Sequence, residues 1–102
     1  MTIVRVAKAA DVAPGQVRVY EVDGHSIALA NLDGAFYALD NVCTHDGGPL
    51  GEGRLWDETV ECPRHGARFD VKTGAVKALP AVRPVRAYPV HQDGEEISVD
   101  VG

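Results

Sequence analysis

Residues 43–66 read CTHDGGPLGEGRLWDETVECPRHG, and this stretch holds both cysteines and two of the four histidines of the 102-residue chain. Cys43 and His45 are separated by one residue, Cys62 and His65 by two, and sixteen residues lie between the two pairs. Thiolates and imidazoles are soft metal ligands, and paired spacings of this kind mark metal sites. The pattern therefore predicts one metal site with Cys43, His45, Cys62 and His65 as its ligands.

The order of the four ligands bears on which metal they bind. Zinc sites with two Cys and two His generally open with two cysteines two to four residues apart, whereas this chain opens with Cys-x-His. A mixed-ligand [2Fe–2S] cluster needs one Cys and one His from each loop, because one iron takes both thiolates and the other takes both imidazoles. The residues favour such a cluster and leave a zinc-stabilised interaction module as the alternative.

The flanking segments alternate apolar and polar residues with the period of two that is typical of strands. The predicted strands are Ile3–Val6, Val17–Val22, a strand containing Ile27 and Leu29, Phe36–Leu39, Val85–Val90 and Ile97–Val101. Asp-Gly pairs at 23–24, 33–34 and 93–94 favour tight hairpin turns between them. These segments predict an antiparallel β sandwich or barrel, while residues 41–80 are rich in Gly and Pro and predict loops.

The chain resembles Rieske proteins, whose signature is Cys-x-His-x-Gly followed by Cys-Pro-x-His-Gly, here residues 43–47 and 62–66. Residues 76–81 are similar to the proline loop of that family, and Tyr88-Pro89-Val90 is similar to ferredoxins of ring-hydroxylating dioxygenases. The resemblance implies an all-β single domain, 1–102, with one Rieske-type [2Fe–2S] cluster. A small β cluster-binding subdomain, about 41–80, would be inserted into a base formed by 1–40 and 81–102.

Four positions depart from the respiratory branch of the family. Gly48 and Arg64 stand where that branch has a second cysteine pair, so no disulfide between the loops is expected. Ala67 and Phe69 replace a Ser and a Tyr whose hydroxyls donate to cluster sulfurs. With fewer donors to stabilise the reduced cluster, we expect a potential at the low end of the Rieske range.

The resemblance implies a soluble one-electron carrier that takes electrons from an NAD(P)H-dependent flavoprotein reductase and delivers them to a terminal oxygenase. The chain has no residues left for a mononuclear iron site, so we expect no catalytic residues and no enzyme activity of its own. The alternative function, from the class of enzyme subunits, is that of a small subunit in a nitrite-reductase-like complex. Partners are expected to dock transiently at the cluster tip, near Pro49, Leu50 and Pro80, and Trp56 is predicted to lie in the core.

Composition excludes two classes of partner. The net charge is −5 and the lysines and arginines are not clustered, which argues against nucleic acid. No secretory signal and no apolar run of membrane-spanning length is present, so cytoplasmic residence and no membrane association are expected. We also expect a monomer.

Overall fold

The alternating apolar residues form strands in the computed structural model, which describes residues 2–44, 47–63, 66–79 and 83–102. The strands in these ranges are β1 Ile3–Lys8, β2 Val17–Val22, β3 His25–Leu32, β4 Ala35–Asp40, β5 Arg54–Trp56, β6 Thr59–Glu61, β7 Arg68–Asp70, β8 Val76–Ala78, β9 Ala87–Tyr88, β10 Val90–Asp93 and β11 Glu96–Asp100. Two short 3-10 turns occur at Ala9–Asp11 and Leu50–Glu52. Neither turn is long enough to cross a bilayer, and no other helix occurs in the described ranges.

The strands pair into three antiparallel sheets, in the orders β1-β11-β10, β2-β3-β4-β9 and β5-β6-β7-β8. We refer to them as the outer, central and site sheets. The hairpins predicted at the first two Asp-Gly pairs are present, and both residues of each pair have positive φ: 49° and 82° at Asp23 and Gly24, 55° and 94° at Asp33 and Gly34. Tight two-residue hairpins need this backbone conformation, which explains the Asp-Gly preference. The all-β antiparallel fold predicted from the sequence is confirmed.

The central sheet is covered on both faces. Ile27 and Leu29 of β3 point into one hydrophobic cluster with residues of the outer sheet, whereas Ala30 belongs to a second cluster with residues of the site sheet. Five consecutive residues of β3, positions 27–31, are buried. A strand buried on both faces reads as a continuous apolar run, which is the pattern at 27–30.

The strand predicted as Val85–Val90 is interrupted. Pro89 separates β9, which pairs with β4 of the central sheet, from β10, which pairs with β11 of the outer sheet. Proline has no N–H to donate, and its carbonyl accepts from the Asp100 amide at 2.9 Å. The chain therefore passes from one sheet to the other at this proline, and the single-strand prediction is wrong.

The stretch predicted to be loop-rich contains the site sheet, whose four strands have three residues each. Its inward residues, among them Val60 and Phe69, pack in the second hydrophobic cluster against the central sheet. Strands this short give little stability alone and depend on the cluster beneath them. The subdomain boundary at about 41–80 stays a prediction.

Candidate metal centre

The first predicted ligand loop is a closed turn that starts at Cys43. The Gly47 amide donates to the Cys43 carbonyl at 2.7 Å, and the Cys43 amide donates to the Gly48 carbonyl at 2.7 Å. Gly47 has φ of 76°, a conformation that residues with a Cβ rarely adopt. The glycine of the Cys-x-His-x-Gly motif is thus required by the turn itself.

The second loop repeats both of these hydrogen bonds at the equivalent positions. The Gly66 amide donates to the Cys62 carbonyl at 3.1 Å, and the Cys62 amide donates to the Ala67 carbonyl at 2.7 Å. Gly66 has φ of 75°, within a degree of its counterpart in the first loop. Both cysteines therefore occupy the same position of the same turn, although the predicted histidine ligands stand two residues after one cysteine and three after the other.

Both cysteine side chains lie inside the second hydrophobic cluster, with exposures of 0% for Cys43 and 1% for Cys62. Two loops separated by nineteen positions are thereby brought to one buried region. His45 and His65 lie outside the described residues. A pair of buried thiols with imidazoles from the same loops is the donor set of a Rieske-type cluster, so the described residues fit this cofactor.

An open cleft of about 510 Å³ adjoins the first cysteine turn. Its described lining residues are Val42, Cys43, Thr44, Gly47, Arg83 and Pro84. The Thr44 hydroxyl donates to the Arg83 carbonyl at 2.6 Å and so joins the ligand loop to the chain beyond residues 80–82. The first loop is therefore braced on the side of the cleft.

Asn41 fastens the same loop to the central sheet. Its side-chain oxygen accepts from the Gly51 amide at 2.6 Å, and its side-chain nitrogen donates to the Ser26 hydroxyl at 3.1 Å. Position 51 also requires glycine, because a Cβ there would collide with the Val19 side chain. Sequence reasoning missed Asn41, because its two partners are ten and fifteen residues away in the chain.

Two further glycines allow close backbone contacts around the site. A Cβ on Gly53 would collide with the carbonyl of Glu61, the residue before Cys62, and a Cβ on Gly74 would collide with the carbonyl of Val85. Such contacts explain why the segment is rich in glycine beyond its turns.

Trp56 is 43% exposed, so the prediction that it lies in the core is wrong. The guanidinium groups of Arg54 and Arg68 each lie 5.2 Å from the centroid of its ring. The Glu61 carboxylate pairs with both arginines, at 3.6 Å and 3.3 Å. We call Arg54, Trp56 and Arg68 the Trp56 patch. Alternation along β5 explains this exposure, because Leu55 points inward and Trp56 therefore lies on the same outward face as Arg54.

The predicted docking rim at the cluster tip is corrected at one residue. Pro49 is exposed, but Leu50 is 0% exposed and packs in the same cluster as the cysteines. Pro80 lies outside the described residues. Leu79, the residue before Pro80, is 76% exposed, so the described part of this segment presents an apolar side chain to solvent.

The two positions that lack hydroxyl donors are buried beside the cysteines. Ala67 and Phe69 are both 0% exposed and belong to the second hydrophobic cluster. Their side chains offer no hydrogen bond to sulfur there. This environment supports the expected low potential, which stays a prediction.

A polar group at the base of β4 adjoins the first loop. The Tyr88 hydroxyl donates to the Asp40 carboxylate at 3.3 Å, and the Arg86 guanidinium lies 4.4 Å from the Tyr88 ring centroid. Burial, followed by the negative charge of Asp40, raises the pKa of Tyr88 above its ordinary value. The phenol therefore stays neutral over the physiological range.

Comparison with known proteins decides the family. Residues 2–89 match the family model described as the Rieske [2Fe–2S] domain. The chain belongs to this family. The ferredoxin component of biphenyl 2,3-dioxygenase from Rhodococcus jostii strain RHA1 is 38% identical over 101 residues, which cover 99% of this chain and 94% of that protein. The sequence resemblance is thus confirmed along nearly the whole chain.

Two solved structures share the Rieske fold closely. The ferredoxin of carbazole 1,9a-dioxygenase from Nocardioides aromaticivorans IC177 is 44% identical, with a TM-score of 0.92 and 97% of each chain covered. A ferredoxin solved in complex with the reduced oxygenase of carbazole 1,9a-dioxygenase is 33% identical, with a TM-score of 0.88 and 95% and 91% of the chains covered. The predictions of a Rieske-type [2Fe–2S] cofactor and of an electron carrier rather than an enzyme are confirmed.

Proposed function

We propose that this Rieske ferredoxin takes single electrons from an NAD(P)H-dependent flavoprotein reductase and delivers them to the terminal oxygenase of an aromatic ring-hydroxylating system. We place it in the cytoplasm, where nicotinamide cofactors are available, and we propose that it acts as a monomer. The observation that carries the proposal is the pair of equivalent cysteine turns in one buried cluster, in a chain similar to dioxygenase ferredoxins.

Cys43 and Cys62 would supply the two thiolates and His45 and His65 the two imidazoles. The bound cluster accepts and releases one electron at a time, and neutral imidazoles raise its potential relative to four-cysteine clusters. The chain's own contribution is to bury both thiols in an apolar cluster and to hold the backbone of each cysteine by two hydrogen bonds.

The apolar surroundings of the cysteines also limit how far the reduced form is stabilised. With Ala67 and Phe69 beside them, no side-chain hydroxyl donates from these two positions. A potential at the low end of the Rieske range suits an electron source of nicotinamide and flavin. Transient partners would approach at the tip, where Pro49 and Leu79 are exposed.

The ligand assignment is tested by spectroscopy on the purified protein. We expect a reduced electron paramagnetic resonance signal with an average g below that of four-cysteine clusters. His65→Cys, if it still holds a cluster, should have a much lower potential than the wild type. An unchanged potential in that variant would exclude His65 as a ligand, and a colourless protein with stoichiometric zinc would overturn the redox function.

The carrier role is tested by mixing the dithionite-reduced protein, free of excess dithionite, with the oxidised terminal oxygenase of carbazole 1,9a-dioxygenase from Nocardioides aromaticivorans IC177 under anaerobic conditions. We expect one electron to leave each ferredoxin and to appear on the oxygenase. Absence of transfer from a fully loaded protein would contradict the proposed function for this class of acceptor.

A further inference from the structure

The Trp56 patch presents an aromatic ring to solvent in a fixed position. Trp56 is 43% exposed although a protein of this kind can bury most of its large apolar side chains, and a guanidinium lies over the ring from each of Arg54 and Arg68. Stacked guanidinium groups restrict the rotation of an indole and keep their remaining donors available. The patch is therefore a preformed surface of the two residue types that most often dominate protein interfaces.

The patch lies next to the second ligand loop. Arg54, Glu61 and Arg68 stand opposite one another on β5, β6 and β7. Cys62 directly follows Glu61, and Arg68 is the first residue after the turn that closes at Ala67. A protein seated on the outer face of the site sheet would therefore contact the two residues that flank this loop.

The charges of the chain are unevenly distributed. Residues 41–86, between β4 and β9, contain seven Lys and Arg against six Asp and Glu, whereas the rest of the chain contains three against nine. The segment with the ligand loops is thus less acidic than the rest of the chain, so it repels an acidic protein less.

The excess positive charge lies at one end of the patch. Glu61 is the one carboxylate that pairs with both Arg54 and Arg68 among the described ion pairs, so these three residues carry one excess positive charge. Asp57 and Glu58 form the turn at the other end of β5, away from Cys62, and Glu58 pairs with Lys72. The positive end of the patch is therefore the end nearer to the ligand loop.

We propose that the Trp56 patch is a docking surface for an acidic electron acceptor. Carboxylates of the acceptor would pair with the free donors of Arg54 and Arg68, and an apolar recess would take the exposed part of the Trp56 ring. This inference rests on the proposed function and extends the interface from the cluster tip along the outer face of the site sheet.

The test uses single-turnover transfer from the reduced, cluster-loaded protein to the oxidised Nocardioides aromaticivorans oxygenase, followed by stopped flow at low and high ionic strength. The variants are Trp56→Ala, the double variant Arg54→Gln with Arg68→Gln, and Glu61→Gln. Arg18→Gln, on the exposed part of β2, is the control for loss of a positive charge outside the patch. Each variant is compared at equal cluster content, and its potential and unfolding midpoint are measured alongside.

We expect Trp56→Ala to slow transfer about tenfold at every ionic strength. The indole would become buried against the acceptor in the complex, and such apolar contacts are not screened by salt. The double arginine variant should be about tenfold slower at low salt and close to the wild type at high salt, where charge attraction is screened. Glu61→Gln should be faster than the wild type at low salt, since it removes the negative charge that pairs with Arg54 and Arg68. Arg18→Gln should match the wild type.

The two proposals fail in different ways. If the wild-type protein transfers its electron and the Trp56 and arginine variants do so equally fast, the docking inference is overturned and the carrier function stands. If the double arginine variant transfers its electron faster than the wild type at low salt, the acceptor is not acidic at this surface and the inference is also overturned. If the loaded wild-type protein transfers no electron, the proposed function itself is contradicted.

Discussion

Replacement of Asn41 by alanine should loosen the first ligand loop from the central sheet. The change removes an acceptor for the Gly51 amide and a donor to the Ser26 hydroxyl. Each partly buried hydrogen bond contributes about 1 kcal/mol net, and an amide left without a partner costs more. We expect the free energy of unfolding to fall by about 2–3 kcal/mol, which lowers the melting temperature of a domain of this size by about 10–20 °C.

The measurement is thermal unfolding of the loaded protein followed by circular dichroism, together with the rate at which visible absorbance is lost on warming. Asn41→Asp is the control, because a carboxylate still accepts from the Gly51 amide and from the Ser26 hydroxyl. This variant should lose less than half as much as Asn41→Ala. Equal melting temperatures for Asn41→Ala and the wild type would refute the view that this side chain anchors the loop.

Three further predictions concern stability around the site. Thr44→Val removes the hydroxyl that donates to a backbone carbonyl at 2.6 Å, and we expect melting to fall by about 4–8 °C with faster loss of visible absorbance on warming. In Gly74→Ala the new methyl group would collide with the Val85 carbonyl, whereas Gly94 has a similar positive φ but open surroundings. Urea unfolding should therefore show a loss in the free energy of unfolding well above the roughly 1 kcal/mol expected of Gly94→Ala. Folding raises the pKa of Tyr88, so the neutral phenol stabilises the native state fully below about pH 10, and this contribution is lost as the pH rises further. Above about pH 10 the unfolding midpoints of Tyr88→Phe should therefore fall less steeply than those of the wild type.

Features set by local chemistry could be predicted from the sequence. The hairpins at Asp23-Gly24 and Asp33-Gly34 follow from the positive φ that two-residue turns demand, and the cysteine turns follow from a glycine four residues after each cysteine. In each case the cause and its effect lie within six residues. The family resemblance added the site sheet, which its three-residue strands do not reveal by periodicity.

Features set by distant contacts could not be predicted in this way. Leu50 was expected at a surface tip, but it is buried because the short turn at Leu50–Glu52 folds back on the central sheet. The break at Pro89 depends on two different partner strands, β4 and β11, which alternation along one segment cannot distinguish. Asn41 likewise acquires its role only when Ser26 and Gly51 come together.

The middle of β3 connects these observations, because there the two faces of the strand carry side chains of different size. The bulky Ile27 and Leu29 lie in the cluster shared with the outer sheet, whereas the alternate positions between and after them are the buried alanines Ala28 and Ala30, of which Ala30 lies in the cluster with the cysteines. Small side chains on that face let the segment after the first ligand loop approach closely, and a Cβ at Gly51 would lie 3.6 Å from the Ala28 methyl. Close packing fixes distances more firmly than loosely packed loops do. The small residues of this strand thus allow the close approach of the segment that follows Cys43, and Ala30 packs in the same buried cluster as that thiol.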